Sequence, residues 1–236
     1  MFGYEFMGTA ALILIGVGTS ANLQLKTAKA FGTGYLMSTL GWATGVFVGI
    51  VVSTPSGSHL NPAVTLAKAL GESGELAPGV AASAGNITQY VVAQILGATV
   101  GASLAWLVYR DHYAPENRSV PSLAMFATVP AIRKLPQNFL TEVVATAVLI
   151  VALLKLADTP ADLGPLYSAL VVFAVGLGLG GPTGWAINPA RDLGTRLAHS
   201  LLPIPEKGSS DWAYSWVPVA GPLVGAALGA GILAIS

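Results

Sequence analysis

The chain has 236 residues, 53% of them hydrophobic and only 9% charged, with a mean hydropathy of +0.68 and a formal net charge of zero. Soluble domains carry about 25% charged residues, so lipid must be the solvent, and we read a single integral membrane domain over 1–236. Zero net charge gives no sign of nucleic acid or a polybasic surface module, and the absence of cysteine excludes disulfides and thiolate chemistry.

Crossing a ~30 Å hydrocarbon core takes about 20 mostly apolar residues. In chain order such spans are predicted at 4–24, 33–53, 84–108, 138–157, 165–181 and 214–235. The run after Glu5 could pass for a signal peptide, but it lacks a basic flank and further spans follow, so it counts as the first span. "LKTAKAFG" (25–32) carries two lysines and marks an aqueous loop. The longest polar interval, 109–137, holds four prolines and four Lys/Arg and separates the halves. Two apolar pieces, "AVTLAKAL" (63–70) and "ARDLGTRLAHSLL" (190–202), are too short to cross. Each reads as a helix that enters the membrane and stops.

The halves, approximately 1–115 and 137–236, match in order. "EFMGTAALI" (5–13) aligns with "EVVATAVLI" (142–150), placing Glu5 on Glu142 and Thr9 on Thr146. Asn61-Pro62-Ala63 falls on Asn188-Pro189-Ala190, and Gly97 and Gly101 on Gly221 and Gly225. Three matches in register indicate a duplicated unit. Three spans per unit is an odd number, so the second unit sits upside down, with interrupted helices meeting near the midplane. The fold class is therefore an all-α membrane protein: six transmembrane helices plus two re-entrant half-helices in an inverted repeat.

Each Asn-Pro-Ala is a favourable helix start, since Asn is a preferred N-cap and Pro at the first helical position loses no hydrogen bond. Irregular backbone before a half-helix is tolerated at membrane depth only when buried in protein or lining a water-filled cavity. Inversion brings two helix N-termini together, each carrying about half a positive charge. Such a site donates hydrogen bonds to a neutral oxygen and repels cations.

"SGSHLNPAVT" and "GWAINPARD" resemble the two signature loops of the aquaporin and aquaglyceroporin (major intrinsic protein) family, and the likeness extends over essentially the whole chain. The resemblance implies a pore through each subunit, a homotetramer, and an aquaporin-like passive channel in the cell membrane, with both termini cytoplasmic. The sequence has no clustered His/Asp/Glu spacing, nucleophile–base pair or phosphate loop, so no metal, cofactor or enzyme activity is expected. Arg191, an intramembrane cation that would otherwise be a snorkelling or helix-end residue, becomes the fixed charge of a narrow filter. Trp185 and Gly176 map to two further filter positions, although Trp185 also suits an interfacial belt. The span-two position falls on Gly41 by the commonest spacing, or on Trp42 if "STPSGSH" is one residue short; the "GW" pattern of glycerol-conducting relatives favours Trp42.

Two tryptophans would face the carbon edge of glycerol while Arg191 and backbone carbonyls meet its hydroxyls, and Gly176 would leave width. Asp192 would brace the loop carrying Arg191, or serve as a simple carboxylate at a helix N-terminus. Glu5 and Glu142 would accept hydrogen bonds from the re-entrant loops, unless they merely stand at the membrane edge. His59 would border a vestibule or bond locally, while His112 and His199 resemble loop or helix-end residues. One feature conflicts with the expected orientation. It puts nine of the eleven Lys/Arg outside, against the positive-inside rule. The leading expectation is a glycerol-facilitator-type channel passing small neutral solutes and water while excluding ions and protons. A water-selective pore, a coupled transporter and a non-conducting scaffold are the alternatives.

Overall fold

The computed structural model describes residues 1–156 and 163–235. Helices α1 (Phe2–Gln24), α2 (Tyr35–Ser53), α3 (Pro62–Ala69) and α4 (Ala84–Val108) form the first half. A one-turn α5 (Leu123–Phe126) lies in the connection, and α6 (Leu135–Lys155), α7 (Gly164–Leu179), α8 (Pro189–Leu201) and α9 (Val217–Ala234) form the second. A small antiparallel hairpin, β1 (Glu75–Ala77) with β2 (Val80–Ala81), follows α3. Five of these helices are long and apolar enough to cross a membrane.

The boundaries differ from the predicted spans where backbone chemistry intervenes. The second span begins at Tyr35 rather than 33, because Gly34 ahead of it holds a left-handed φ of 93°. The sixth begins at Val217 rather than 214, after a run of turns, with Pro218 in its first turn. Helix α7 has 16 residues, short of the predicted 165–181, and stops where Gly180-Gly181-Pro182 interrupts it. At 1.5 Å per residue it covers only about 24 Å. The predicted end of the fourth span, 157, lies outside the described residues.

Helices α1, α2 and α4 pack together in the first half, as do α6, α7 and α9 in the second. Each half-helix crosses over: α3 packs on α9, and α8 on α4. In lipid no hydrophobic force holds helices together, so small residues that allow close approach do that work. A Cβ on Gly97 or Gly101 would strike the carbonyl of Phe6 or Ala10, and one on Gly225 or Gly229 the carbonyl of Val143 or Ala147. With Glu5 paired to Glu142, Phe6 corresponds to Val143 and Ala10 to Ala147. The structural counterparts of Gly97 and Gly101 are therefore Gly225 and Gly229. The sequence alignment to Gly221 and Gly225 is one helical turn early; apolar helices rich in small residues leave that register ambiguous until the facing helix is known. Gly194 does the same job for α8 against α4, where a Cβ would meet Ala98 and the carbonyl of Ile95.

These seams generate a prediction. Gly101→Val should destabilise the protein by at least the ~1–3 kcal/mol typical of overpacking, read as a lowered midpoint in detergent thermal unfolding. Gly231→Ala, at a helical position with nothing within 4 Å, should leave the midpoint unchanged. Equal behaviour of the two would remove the backbone approach as the stabilising contact.

Candidate functional site

The segments leading into α3 and α8 have the same irregular backbone. Gly57, Ser58 and Leu60 take positive φ values of 79°, 52° and 54°, and Gly184, Trp185 and Ile187 take 87°, 38° and 43°. Left-handed backbone in non-glycine residues costs about 1–3 kcal/mol each unless the surroundings enforce it. Here two buried carboxylates do so. Glu5 accepts from the N–H of His59 at 2.9 Å and of Leu60 at 2.8 Å, and also from Ser56 Oγ and Gln94 Nε2 at 2.6 and 2.7 Å. Glu142 accepts from the N–H of Ala186 at 3.0 Å and of Ile187 at 2.9 Å, the corresponding two amides. Both are fully enclosed by protein, Glu5 at 0% and Glu142 at 1% exposure.

The two asparagines interlock. Asn61 Oδ1 accepts from Ala63 N, and Asn188 Oδ1 from Ala190 N and Arg191 N, which caps α3 and α8 above Pro62 and Pro189. Asn61 Nδ2 donates to Ile187 O and Asn188 Nδ2 to Leu60 O, each at 2.8 Å. Each amide thus reaches across to the other loop, and the half-helices meet N-terminus to N-terminus. An amide NH₂ has two hydrogens, so one on each asparagine remains for a molecule in the cavity that both line.

That cavity, of about 240 Å³, is bordered by loop backbone at 57–60 and 185–187 and by apolar side chains such as Leu12, Val46 and Leu149, with His59 and Lys68 towards its α3 end. A second, of about 510 Å³, lies on the other side beneath α5 and the start of α2. Trp42, Trp185 and Arg191 border both, and so stand at their junction.

Arg191, 9% exposed, sits in the first turn of α8. A cation there opposes the helix dipole, and it has two compensations. Its Nη1 donates to Phe126 O at 3.0 Å, and its guanidinium carbon lies 3.9 Å from the centre of the Trp42 ring. A desolvated cation–π contact at this range contributes up to about 2 kcal/mol. Trp42 is oriented from behind, donating its indole N–H to Ser20 Oγ at 3.1 Å, and its ring fills the space where Gly16 has no side chain. Trp185 is 6% exposed and turned inward, not towards an interfacial belt.

Two sequence expectations are corrected here. Gly41 does not stand at the junction: a Cβ on it would collide with Thr19 of α1, so that face of α2 is a helix contact and Trp42, about 100° further round, faces the cavities. Gly176 does not leave width. The room of its missing side chain is taken by Thr39 and the Trp185 indole, which a Cβ would meet at 3.0 and 3.2 Å.

Asp192 points away from Arg191. It accepts from Thr128 N at 2.8 Å and Thr128 Oγ1 at 2.6 Å, and pairs with Arg196, whose Nε lies 2.9 Å and Nη2 2.8 Å away. Arg196 continues to the carbonyls of Ser210 and Thr128. The pair is wholly buried, and it ties down 127–129 and 210–211 rather than the loop before α8. His59 bonds locally, Nδ1 to Thr65 Oγ1 at 3.1 Å and Nε2 to Leu76 O at 2.8 Å, while also lining the cavity. His199, at the end of α8, is buried between Ser122 and Ser210.

Ser20, Gln94, Phe126 and Thr128 were not foreseen. Gln94 carried a signal, a polar amide within an apolar span. Phe126 carried none, because it acts through its backbone carbonyl.

Head-to-head half-helices, with a cavity on either side of a three-residue junction, define a channel-type membrane protein built from an inverted repeat. The major intrinsic protein family matches residues 2–233. The chain is 45% identical over 234 residues to the probable glycerol uptake facilitator protein of Thermotoga maritima, covering 97% of this chain and 95% of that one. It is also 45% identical over 229 residues to glycerol uptake facilitator protein 3 of Lactiplantibacillus plantarum, covering 96% and 92%. The aquaglyceroporin of Plasmodium falciparum superposes with a TM-score of 0.82 at 30% identity, covering 98% of this chain and 93% of that one. The chain belongs to the major intrinsic protein family.

The buried pair yields a prediction. Asp192→Asn would leave Arg196 without its counter-charge, and breaking such a pair from one side costs about 3–5 kcal/mol. A large fall in the detergent unfolding midpoint is expected, whereas Thr44→Ala on an exposed face of α2 should change it little. An unchanged D192N midpoint would show that the carbonyls alone hold Arg196.

Proposed function

We propose that this chain is a passive channel for glycerol and similar small uncharged solutes, with water also passing and ions and protons excluded. The observation that carries this reading is the junction of Trp42, Trp185 and Arg191. One molecule passing there meets aromatic carbon on one side and a charged donor on the other. Trp42 has already given its N–H to Ser20 and one ring face to the Arg191 guanidinium, so it offers only its remaining ring surface. A polyol presents a carbon edge and a hydroxyl edge, which suits such a wall better than a sphere of water does. The relatives named as glycerol facilitators support the same solute class.

Under this reading Arg191, Trp42 and Trp185 form the selectivity filter, and Gly176 serves it by seating Trp185. The free amide hydrogens of Asn61 and Asn188 donate to permeant oxygens. Two half-helix N-termini and Arg191 keep the passage positive, which opposes cations, and a permeant oxygen that accepts from both asparagines cannot pass a proton along the file. Pro62, Ala63, Pro189 and Ala190 shape the helix starts, while Glu5, Glu142, Asp192 and His59 support the loops. Movement is down a gradient, with no chemical step. A cell-membrane location with cytoplasmic termini and a homotetramer follow the family resemblance.

Stopped-flow light scattering of proteoliposomes under an inward glycerol gradient tests the reading, with water permeability measured on the same vesicles. Glycerol entry well above that of protein-free vesicles is expected; fast water flux with background glycerol entry would overturn it. Trp185→Ala should admit five-carbon polyols several-fold faster relative to glycerol. An unchanged size ratio would remove Trp185 from the filter.

A further inference from the structure

Trp185 has an unusual support for a residue at the narrowest point of a passage. Its backbone is held in a left-handed conformation at φ 38°, so the position of its ring depends on what packs around it. Two sides of the socket are bare backbone. A Cβ on Gly176 would sit 3.2 Å from Trp185 Cε2, and one on Gly180 would collide with the ring near Cε3. The third side is Tyr35.

Tyr35 opens α2, directly after Gly34. Its ring meets Trp185 edge to face, with centroids 5.3 Å apart and planes at 78°. Such pairs contribute beyond their buried area and favour one geometry. Its hydroxyl donates to Gly176 O at 3.1 Å, reaching from α2 across to α7. The missing side chain of Gly180 leaves room for that hydroxyl and for the indole alike. The same Tyr35 lines the larger of the two cavities together with Trp42, Trp185 and Arg191. One side chain therefore touches the Trp185 ring at the junction, anchors the helix backbone behind it, and faces the larger cavity.

We propose that Tyr35 is a positioning residue for size selectivity: it fixes the Trp185 indole against α7 and so sets the width of the junction, without contacting the passing solute at the narrowest point. This rests on the filter reading above. Removing the ring opens a space beside Trp185 into which the indole turns, and the passage widens. Removing only the hydroxyl releases Gly176 while leaving the edge-to-face contact, and the effect is smaller. Tyr35 is 43% exposed, so its replacement does not carry the folding cost of a core aromatic.

The test is the permeability ratio of xylitol to glycerol in proteoliposomes of the full chain. It is measured for the wild type, Tyr35→Ala, Tyr35→Phe, Trp185→Ala and the double variant Tyr35→Ala/Trp185→Ala. Tyr35→Ala should raise the ratio several-fold, Tyr35→Phe by less, and the double variant no further than Trp185→Ala alone, because Tyr35 acts through Trp185. Tyr35→Leu serves in place of Tyr35→Ala if the latter does not reconstitute. A merely structural role would lower all fluxes together and leave the ratio fixed. The proposal is overturned if Tyr35→Ala (or Tyr35→Leu) keeps the wild-type ratio, or if the double variant is additive. If instead Trp185→Ala itself has no effect on the ratio, the filter reading fails and this inference falls with it.

Discussion

Everything in this molecule depends on how backbone is satisfied in the middle of a membrane. Two short loops abandon helical geometry with consecutive N–H groups turned into the protein interior, and each left unpaired there would cost several kcal/mol. Glu5 and Glu142 answer this by accepting two consecutive amides apiece, at His59–Leu60 and Ala186–Ile187. With those amides held, left-handed residues as unsuited as Ile187 become tolerable, the asparagines reach across to each other's loops, and both half-helices begin at the same depth. The carboxylates are expensive to bury, and the first is matched by four donors. They stabilise a backbone that would otherwise not form a passage.

Electrostatics at α8 separates two arginines that look alike in the sequence. Arg196 lies one turn beyond Asp192 and on the same face, so it is neutralised and serves as a rivet between two loops. Arg191 adjoins Asp192 in the chain, but successive helical residues point about 100° apart, so the carboxylate is turned elsewhere. Arg191 is left with a carbonyl and an aromatic face, neither of which cancels its charge. That angular offset leaves a cation at the junction of the two cavities, which is the feature the proposed channel reading uses.

The repeat is symmetric where it builds the loops and asymmetric where it builds the junction. Ser58 and Val64 occupy the positions in the first loop that Trp185 and Arg191 occupy in the second, counted from the two asparagines. Only the second loop therefore sets a ring and a cation at the junction of the two cavities, while the first lines the smaller cavity, towards Lys68. Glycine takes a matching part. Gly16 accommodates Trp42, and Gly176 with Gly180 accommodates Trp185, so small residues on one helix give large rings on another a defined place.

Five of the six expected spans, the repeat, the inverted arrangement and the two capped half-helices could be read from the chain, because hydropathy and the Asn-Pro-Ala triplets are local signals that lipid makes strict. The pairing of Glu5 with Glu142 was equally legible as a shared spacing. The glycine register in α9, the choice of Trp42 over Gly41, and the real occupant of the space at Gly176 were not. Each depends on which face of a helix meets which neighbour, and in apolar helices every face looks much the same in sequence. The acceptor for Arg191 is a backbone carbonyl of Phe126, which leaves no trace in residue identity. Residue type, spacing and the family likeness they carry determined the kind of protein and its two loops; only tertiary packing decided which side chains border the cavities, because that is a matter of rotation about helix axes rather than of order along the chain.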